Sequence, residues 1–247
     1  MGELHLSLRL DLLGHDLEGA DGLFNHVQTI AWRYDMGRMA SPVANERLPV
    51  QSAWMGGAGG PRTLADRMRI DTEFQPLVTE RLVLRRSRPE DAETISAYRS
   101  DPDVNRYQGW KRTDPEGVRR EIEEMTGRAP GEAGGWVQLS VEERGSGLLV
   151  GDVGLNPADG EPGVIKVGYT IAPGFQGRGY GTEAVRALVA YALHTLGADV
   201  VRAYTDAENV PSIRVAEKVG MRLVERFEGR DDDEAWLRYE LRRGEGR

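Results

Sequence analysis

The chain has 247 residues, 39% of them apolar and 29% charged, with a formal net charge of −8. That length suits one large domain, or an ordinary domain with an extension, and the apolar share supplies a sizeable core. No run reaches the ~18 apolar residues of a membrane span, and the acidic balance argues against a nucleic-acid partner and mildly for a cationic one.

Cysteine is absent, so disulfides, thiolate nucleophiles and thiolate metal sites are excluded. A reducing cytoplasm is the expected home. The first residues lack the basic start and unbroken apolar stretch of a signal peptide.

Residues 1–74 read as an N-terminal extension of uncertain role. Leu4, Leu6, Leu8 and Leu10 alternate with polar residues, as in a strand. A second strand is predicted in "HVQTIAWRY", and "SAWMGGAGGPRT" reads as a loop. His5, His15 and His26 fit no ligand spacing, so no metal is expected. Met68 opens a stretch that resembles a natural start. Residues 1–67 are then an upstream extension, an artefact of the assigned start site, or an arm packing on a neighbouring subunit of a homodimer.

Residues 75–247 are far more regular. "RLVLRR" is a strand with Leu82 and Leu84 on one face. A helix follows, with Pro89 in its first turn and acids behind it. "DPEGVRREIEEMTG" is another helix, ending at Gly127. "GWVQLSVEE" and "GLLVGDVGL" are strands joined by the hairpin signal "RGSG", and "GVIKVGYTI" is a third. After a glycine-rich loop, a helix places Val185, Leu188, Val189, Ala192 and Leu196 on one face and stops at Gly197; His194 lies on the opposite, exposed side. "DVVRAYTD" is a strand, and "NVPSIRVAEKVG" is a helix capped by Asn209 and ended by Gly220. "MRLVERFEG" and "EAWLRYELR" form a closing strand pair around the acidic turn. Strands arrive in runs with helices between them, which predicts an α+β fold with a mixed sheet.

The loop "APGFQGRGYGTEA" carries Gly174, Gly177, Gly179 and Gly181 directly before a helix. Free backbone N–H groups and the positive end of the helix dipole make such a terminus an anion site. Glycine lets a phosphate approach the backbone closely. A Walker loop is excluded, because Thr182 has no lysine before it. Gly179, Gly181 and Ala184 match a dinucleotide fingerprint, but no strand runs directly into Gly179 and too few residues follow it. A turn that merely packs helix on strand is the plainer alternative.

These residues resemble the GNAT superfamily of acyl-CoA-dependent N-acetyltransferases. Gln176, Gly179 and Gly181 fill its Gln/Arg-x-x-Gly-x-Gly/Ala signature. "VGYTIAP" resembles the family's splayed strand, and Asn209 and Ser212 match the Asn-x-x-Ser/Ala positions of its late helix. "LVTERLVLRRSRPEDAETI" resembles the opening of the branch that acetylates ribosomal-protein N-termini. The resemblance covers roughly Leu77 to Arg242. It implies a mixed central sheet with splayed middle strands flanked by helices, and acetyl-CoA as cofactor. Ile171, Gln176, Gly177, Arg178, Gly179, Tyr180, Gly181, Thr182, Asn209 and Ser212 are the implied cofactor contacts. Backbone N–H groups of the splayed strand would polarise the thioester carbonyl.

Two positions depart from the family. The tyrosine many members use as acid is replaced by Ala216, leaving Ser212 as the candidate catalytic hydroxyl. Lys166 and Val167 stand where several relatives carry a glutamate, so the base is unassigned. Asp152 and Glu161 read most simply as solvated acids, with Asp152 a candidate substrate contact. The expected reaction is acetyl transfer to a primary amine. A polycationic small molecule such as an aminoglycoside is the first expectation, with Trp110, Asp152, Asp231 and Asp232 as substrate contacts. A protein N-terminus is the alternative. A chain that binds acyl-CoA without turning it over is a third reading.

Overall fold

A computed structural model describes residues 68–108, 110, 112–228 and 235–245. The expected strands before residue 68, the three N-terminal histidines and the acidic turn with Asp231 and Asp232 lie outside the described residues.

The elements follow the sequence pattern. A short strand β1 (Leu77–Val78) leads into β2 (Leu82–Arg86), whose Leu82 and Leu84 are wholly buried. Pro89–Asp91 forms a 3-10 turn that feeds α1 (Ala92–Arg99), and a single turn, α2 (Pro102–Asn105), follows. Helix α3 (Pro115–Thr126) starts under the Asp114 carboxylate, which accepts from Gly117 N. Strands β3 (Val137–Glu143) and β4 (Leu149–Pro157) form the expected hairpin and β5 (Val164–Ile171) adds to it. After the glycine loop come α4 (Tyr180–Ala190), β6 (Val200–Asp206), α5 (Val210–Lys218), β7 (Arg222–Glu228) and β8 (Ala235–Arg242).

The eight strands form one sheet in the order β1-β2-β3-β4-β5-β6-β8-β7. Every pairing is antiparallel except β5 with β6. The closing pair β7 and β8 is as read from the sequence, but β8 inserts between β6 and β7.

The two faces of the sheet differ in chemistry. One face packs Leu82, Leu139, Val141, Val153 and Leu155 against Ala184, Val185 and Leu188 of α4. The other lies under α1 and α3, whose Ile95, Val118 and Ile122 form a second apolar cluster. Beneath those helices the sheet is polar: Gln138, Ser140 and Asp152 are buried there with Arg99 and Glu121. The apolar stripe of α4 is buried from Val185 to Leu196 as its spacing predicts, and His194 is exposed. Its last stretch, Tyr191–Thr195, is π-helical rather than α-helical. The widened turn brings Ala198 N to Ala192 O, and Leu196 O accepts from Arg69 N.

Asp152 corrects the sequence reading of a solvated acid: it is only 2% exposed. All of β4 except its first residue is buried, so its polar members are covered whichever face they take. Tyr98 Oη donates to Asp152 Oδ2, and Arg99 lies close enough to pull its pKa down. Burial outweighs both and raises it. Glu161 is the more ordinary surface acid, half-exposed and bidentate to Arg202.

Candidate active site

The site begins where the sheet comes apart. Strand β5 pairs with β4 along its whole length, from Ile165↔Pro157 to Ile171↔Gly151. Its pairing with β6 stops after Val164↔Val200, Ile165↔Val201 and Lys166↔Arg202. From there β6 stays with β8 and β5 stays with β4. Ala172 N bonds to Val150 O and Ala158 N to Val164 O. In an antiparallel ladder the bonded pairs alternate, so Val167, Tyr169 and Ile171 turn their backbone groups away from β4, toward the gap. Gln176 Nε2 takes up the Ile171 carbonyl at 2.9 Å.

The glycine loop closes one end of that gap. Gly177 and Gly179 have φ of +73° and +84°, a region L side chains rarely adopt. Gly179 is the N-cap of α4 and offers no side-chain acceptor. The first-turn N–H groups therefore have none within the helix, and they carry the positive end of its dipole. Gly181 lies close to the cleft wall, where a Cβ would make ordinary contacts with Ile171 at 3.4 Å and with Tyr169 and Val215 at 3.6 Å. Gly174 meets no such constraint.

The loop is braced from behind. Glu183, in the first turn of α4, accepts from Thr79 Oγ1 at 2.6 Å, Arg81 N at 2.8 Å and Arg81 Nε at 2.7 Å. Arg81 also donates to Arg178 O at 2.9 Å and lies over the Tyr180 ring. Tyr180 Oη in turn donates to Glu143. Glu183, the acid of the first turn of α4, is thus tied to the β1–β2 turn.

Helix α5 forms the opposite wall. The Asn209 carbonyl caps it by accepting from Ser212 N at 3.2 Å. Tyr169 Oη, reaching across from β5, lies 3.0 Å from Ser212 Oγ. Burial pushes the Tyr169 phenol up to about 12, against a smaller opposing effect of the Ser212 contact.

Together these elements enclose a cleft of about 510 Å³, within the usual range for small-molecule sites. Ile171, Gln176, Gly177, Gly179, Tyr180, Gly181, Thr182, Asn209 and Ser212 all line it. Arg178 does not: its guanidinium stacks on Phe175. Two further cations, Arg214 and Lys218, line the α5 wall, while Asp103, Tyr107 and Gln108 line the side nearest α2. Sequence reading missed these. Arg214 and Lys218 lie four residues apart on α5, a spacing that puts them on one helix face.

Trp110 and Asp152 sit behind this wall, not on it. Trp110 is 6% exposed, with the Arg99 guanidinium 5.0 Å from its ring centre, so it covers the buried polar layer. Asp152 is in register with Thr170, which lines the cleft and lies 3.5 Å from Gln108 Nε2. No group of acids and histidines able to hold a metal occurs among the described residues. No helix among them is long and apolar enough to cross a membrane.

The profile of the acetyltransferase (GNAT) domain family matches residues 81–222. The chain belongs to the GNAT acetyltransferase family. This GNAT enzyme is 31% identical to the uncharacterised N-acetyltransferase p20 of Bacillus licheniformis, over 58% of its own length and 79% of that protein's. Its fold is similar to that of a GNAT-family acetyltransferase from Bacillus anthracis, with a TM-score of 0.61, 25% identity and coverage of 68% of this chain and 99% of that one. It is also similar, at 13% identity and a TM-score of 0.59, to RimL, a ribosomal L7/L12 alpha-N-protein acetyltransferase solved with coenzyme A, over 69% of this chain and 99% of that one.

The GNAT reaction uses acetyl-CoA. The cleft fits such a group: it pairs a helix N-terminus that no side chain caps, and two cations, with a strand whose backbone faces an open gap.

Proposed function

We propose that this GNAT enzyme acetylates the α-amine of a peptide or protein N-terminus. The observation that carries the transfer reading is the split between β5 and β6, closed at one end by the N-terminus of α4. The N–H groups of residues 177–182 bind the pyrophosphate, with Arg214 and Lys218 adding charge. The backbone of Val167 and Tyr169 holds the pantetheine arm, and Asn209 fixes the start of α5 beside it. When bound, acetyl-CoA supplies a thioester carbonyl open to attack by a neutral amine. An N–H of the splayed strand polarises that carbonyl. Ser212, which lines the cleft, would offer its hydroxyl to the leaving sulfur, and the amine proton would pass to solvent.

The charge of the cleft supports a singly charged acceptor. On the side nearest α2, Asp103 is the one carboxylate among the described lining residues. One carboxylate suits one ammonium group, whereas a polycation such as an aminoglycoside needs several. The second reading, a polycationic small molecule, rests on the acidic run of Asp231, Asp232, Asp233 and Glu234 in the sequence.

One assay separates the two. Coenzyme A release from acetyl-CoA is measured with short peptides bearing free N-termini, kanamycin-type aminoglycosides and spermidine. Turnover confined to peptides is expected. Turnover confined to the aminoglycosides or spermidine would replace this reading with the polycation one.

A further inference from the structure

Tyr169 belongs to the strand whose backbone faces the split, and its side chain crosses to α5. Its Oη lies 3.0 Å from Ser212 Oγ and 3.4 Å from Ser212 O. Its ring lies beside Gly181, where a Cβ would make an ordinary contact with it at 3.6 Å. One turn beyond Ser212, Ala216 presents only a methyl group. A small cavity is lined by Ala216, Ser212 and Tyr169 together.

A phenol is a stronger acid than a serine hydroxyl, so in this pair Tyr169 donates and Ser212 accepts. A serine oxygen that accepts one hydrogen bond has its own proton free for a third atom, and the bond it then makes is strengthened by the first. Ser212 lines the cleft. The amide N–H of Ser212 is already taken by Asn209, so backbone and side chain of Ser212 are both fixed.

We propose that Tyr169 is the positioning residue for Ser212: its hydroxyl donates to Ser212 Oγ and so directs the serine proton at the sulfur of the bound cofactor. This rests on the reading of the cleft given under Proposed function. No net proton leaves Tyr169; it orients a donor that stabilises the thiolate as the carbon–sulfur bond breaks. The thiolate takes its final proton from water.

The test needs no amine substrate. Calorimetric affinities for coenzyme A and for desulfo-coenzyme A, which lacks the thiol, are compared from pH 7 to 10. A donor aimed at sulfur favours the bound thiolate, so the wild type should prefer coenzyme A increasingly as pH rises, by about tenfold, one pKa unit of the bound thiol. Tyr169→Phe and Ser212→Ala should each abolish that pH-dependent preference, costing coenzyme A far more affinity at pH 10 than desulfo-coenzyme A. The double variant should match Ser212→Ala alone. A Tyr169→Phe variant with the wild-type preference overturns the proposal. So do two effects that add, or a parallel loss of desulfo-coenzyme A affinity, which marks a merely structural tyrosine. A wild type that binds both ligands without a pH-dependent preference overturns this proposal alone. One that binds neither overturns the cofactor reading as well.

Discussion

Gly177 and Gly179 hold their φ angles for the cleft, whereas Gly174, in the same loop, meets no comparable demand. The three glycines are therefore not equivalent, although they look alike in the sequence. An L residue held in the left-handed region costs about 1–2 kcal/mol. Gly177→Ala and Gly179→Ala should each weaken coenzyme A binding or stability by that amount, which calorimetry and thermal melts would resolve. Gly179→Ala should be the worse of the two, because its Cβ would also lie 3.3 Å from Arg81 Nη2. Gly174→Ala should change neither by more than about 0.5 kcal/mol. Equal effects at all three positions would mean the loop relaxes on binding. The loop itself was legible in the sequence because glycine spacing and helix start are local signals. The Tyr169–Ser212 contact was not, since it joins residues on different elements, and nothing local marks Tyr169 apart from other strand aromatics.

At the scale of elements, α1 and α3 trap a buried polar layer against β3 and β4. Arg99 Nη1 donates to Glu121 at 3.0 Å, and Asp152 and Tyr98 complete the layer. Burial pushes the Glu121 carboxyl up to about 7, although Arg99 pulls the other way. Its folded pKa thus exceeds its unfolded value of about 4.3. The folded state binds this proton more tightly, so the contribution of Glu121 to stability is largest below about pH 4.3. It falls as pH rises through the window to about 7 and is lost above it. Glu121→Gln cannot titrate. The stability of the wild type relative to Glu121→Gln, from urea unfolding, should therefore decline between pH 5 and pH 8. A constant difference would show that Arg99 keeps Glu121 ionised throughout. This layer was invisible in the sequence because "LLVGDVGL" sits in a strand covered on both faces and the partners of its aspartate lie on α1. By contrast, the capped helices α3 and α5 and the hairpin of β3 and β4 announced themselves through local caps and turn residues. The place of β8 between β6 and β7 depends on sheet-wide pairing, which no local pattern encodes.

For the whole molecule, the stretch before β1 is fastened at several points. Arg69 N bonds to Leu196 O at 2.7 Å, and Asp71 N to Pro130 O at 2.9 Å. Tyr191 Oη donates to Asp71 at 2.6 Å. Phe74 meets Tyr191 edge-on, and Arg86 covers its ring. We propose that the acetyltransferase unit starts at Met68, a few residues before the boundary at 74 and 75 expected from composition. A chain beginning at Met68 should keep the melting temperature of the full chain, and one beginning at Leu77 should melt several degrees lower. An unchanged melting temperature in the Leu77 form would show these anchors to be dispensable. A lower one already in the Met68 form would give residues 1–67 a structural role.

The sheet is continuous through β5 and β6 only at three residue pairs. Three of the eight strands thus hang on a seam that a ligand lying in the split would stitch. Amides of β6 and β8 beyond that seam should exchange with deuterium faster in the free enzyme than those of β3 and β4. Bound coenzyme A should slow the former more than the latter. The cofactor is then a structural member of the sheet, and depletion of the cell's acyl-CoA pool would loosen the enzyme as well as idle it.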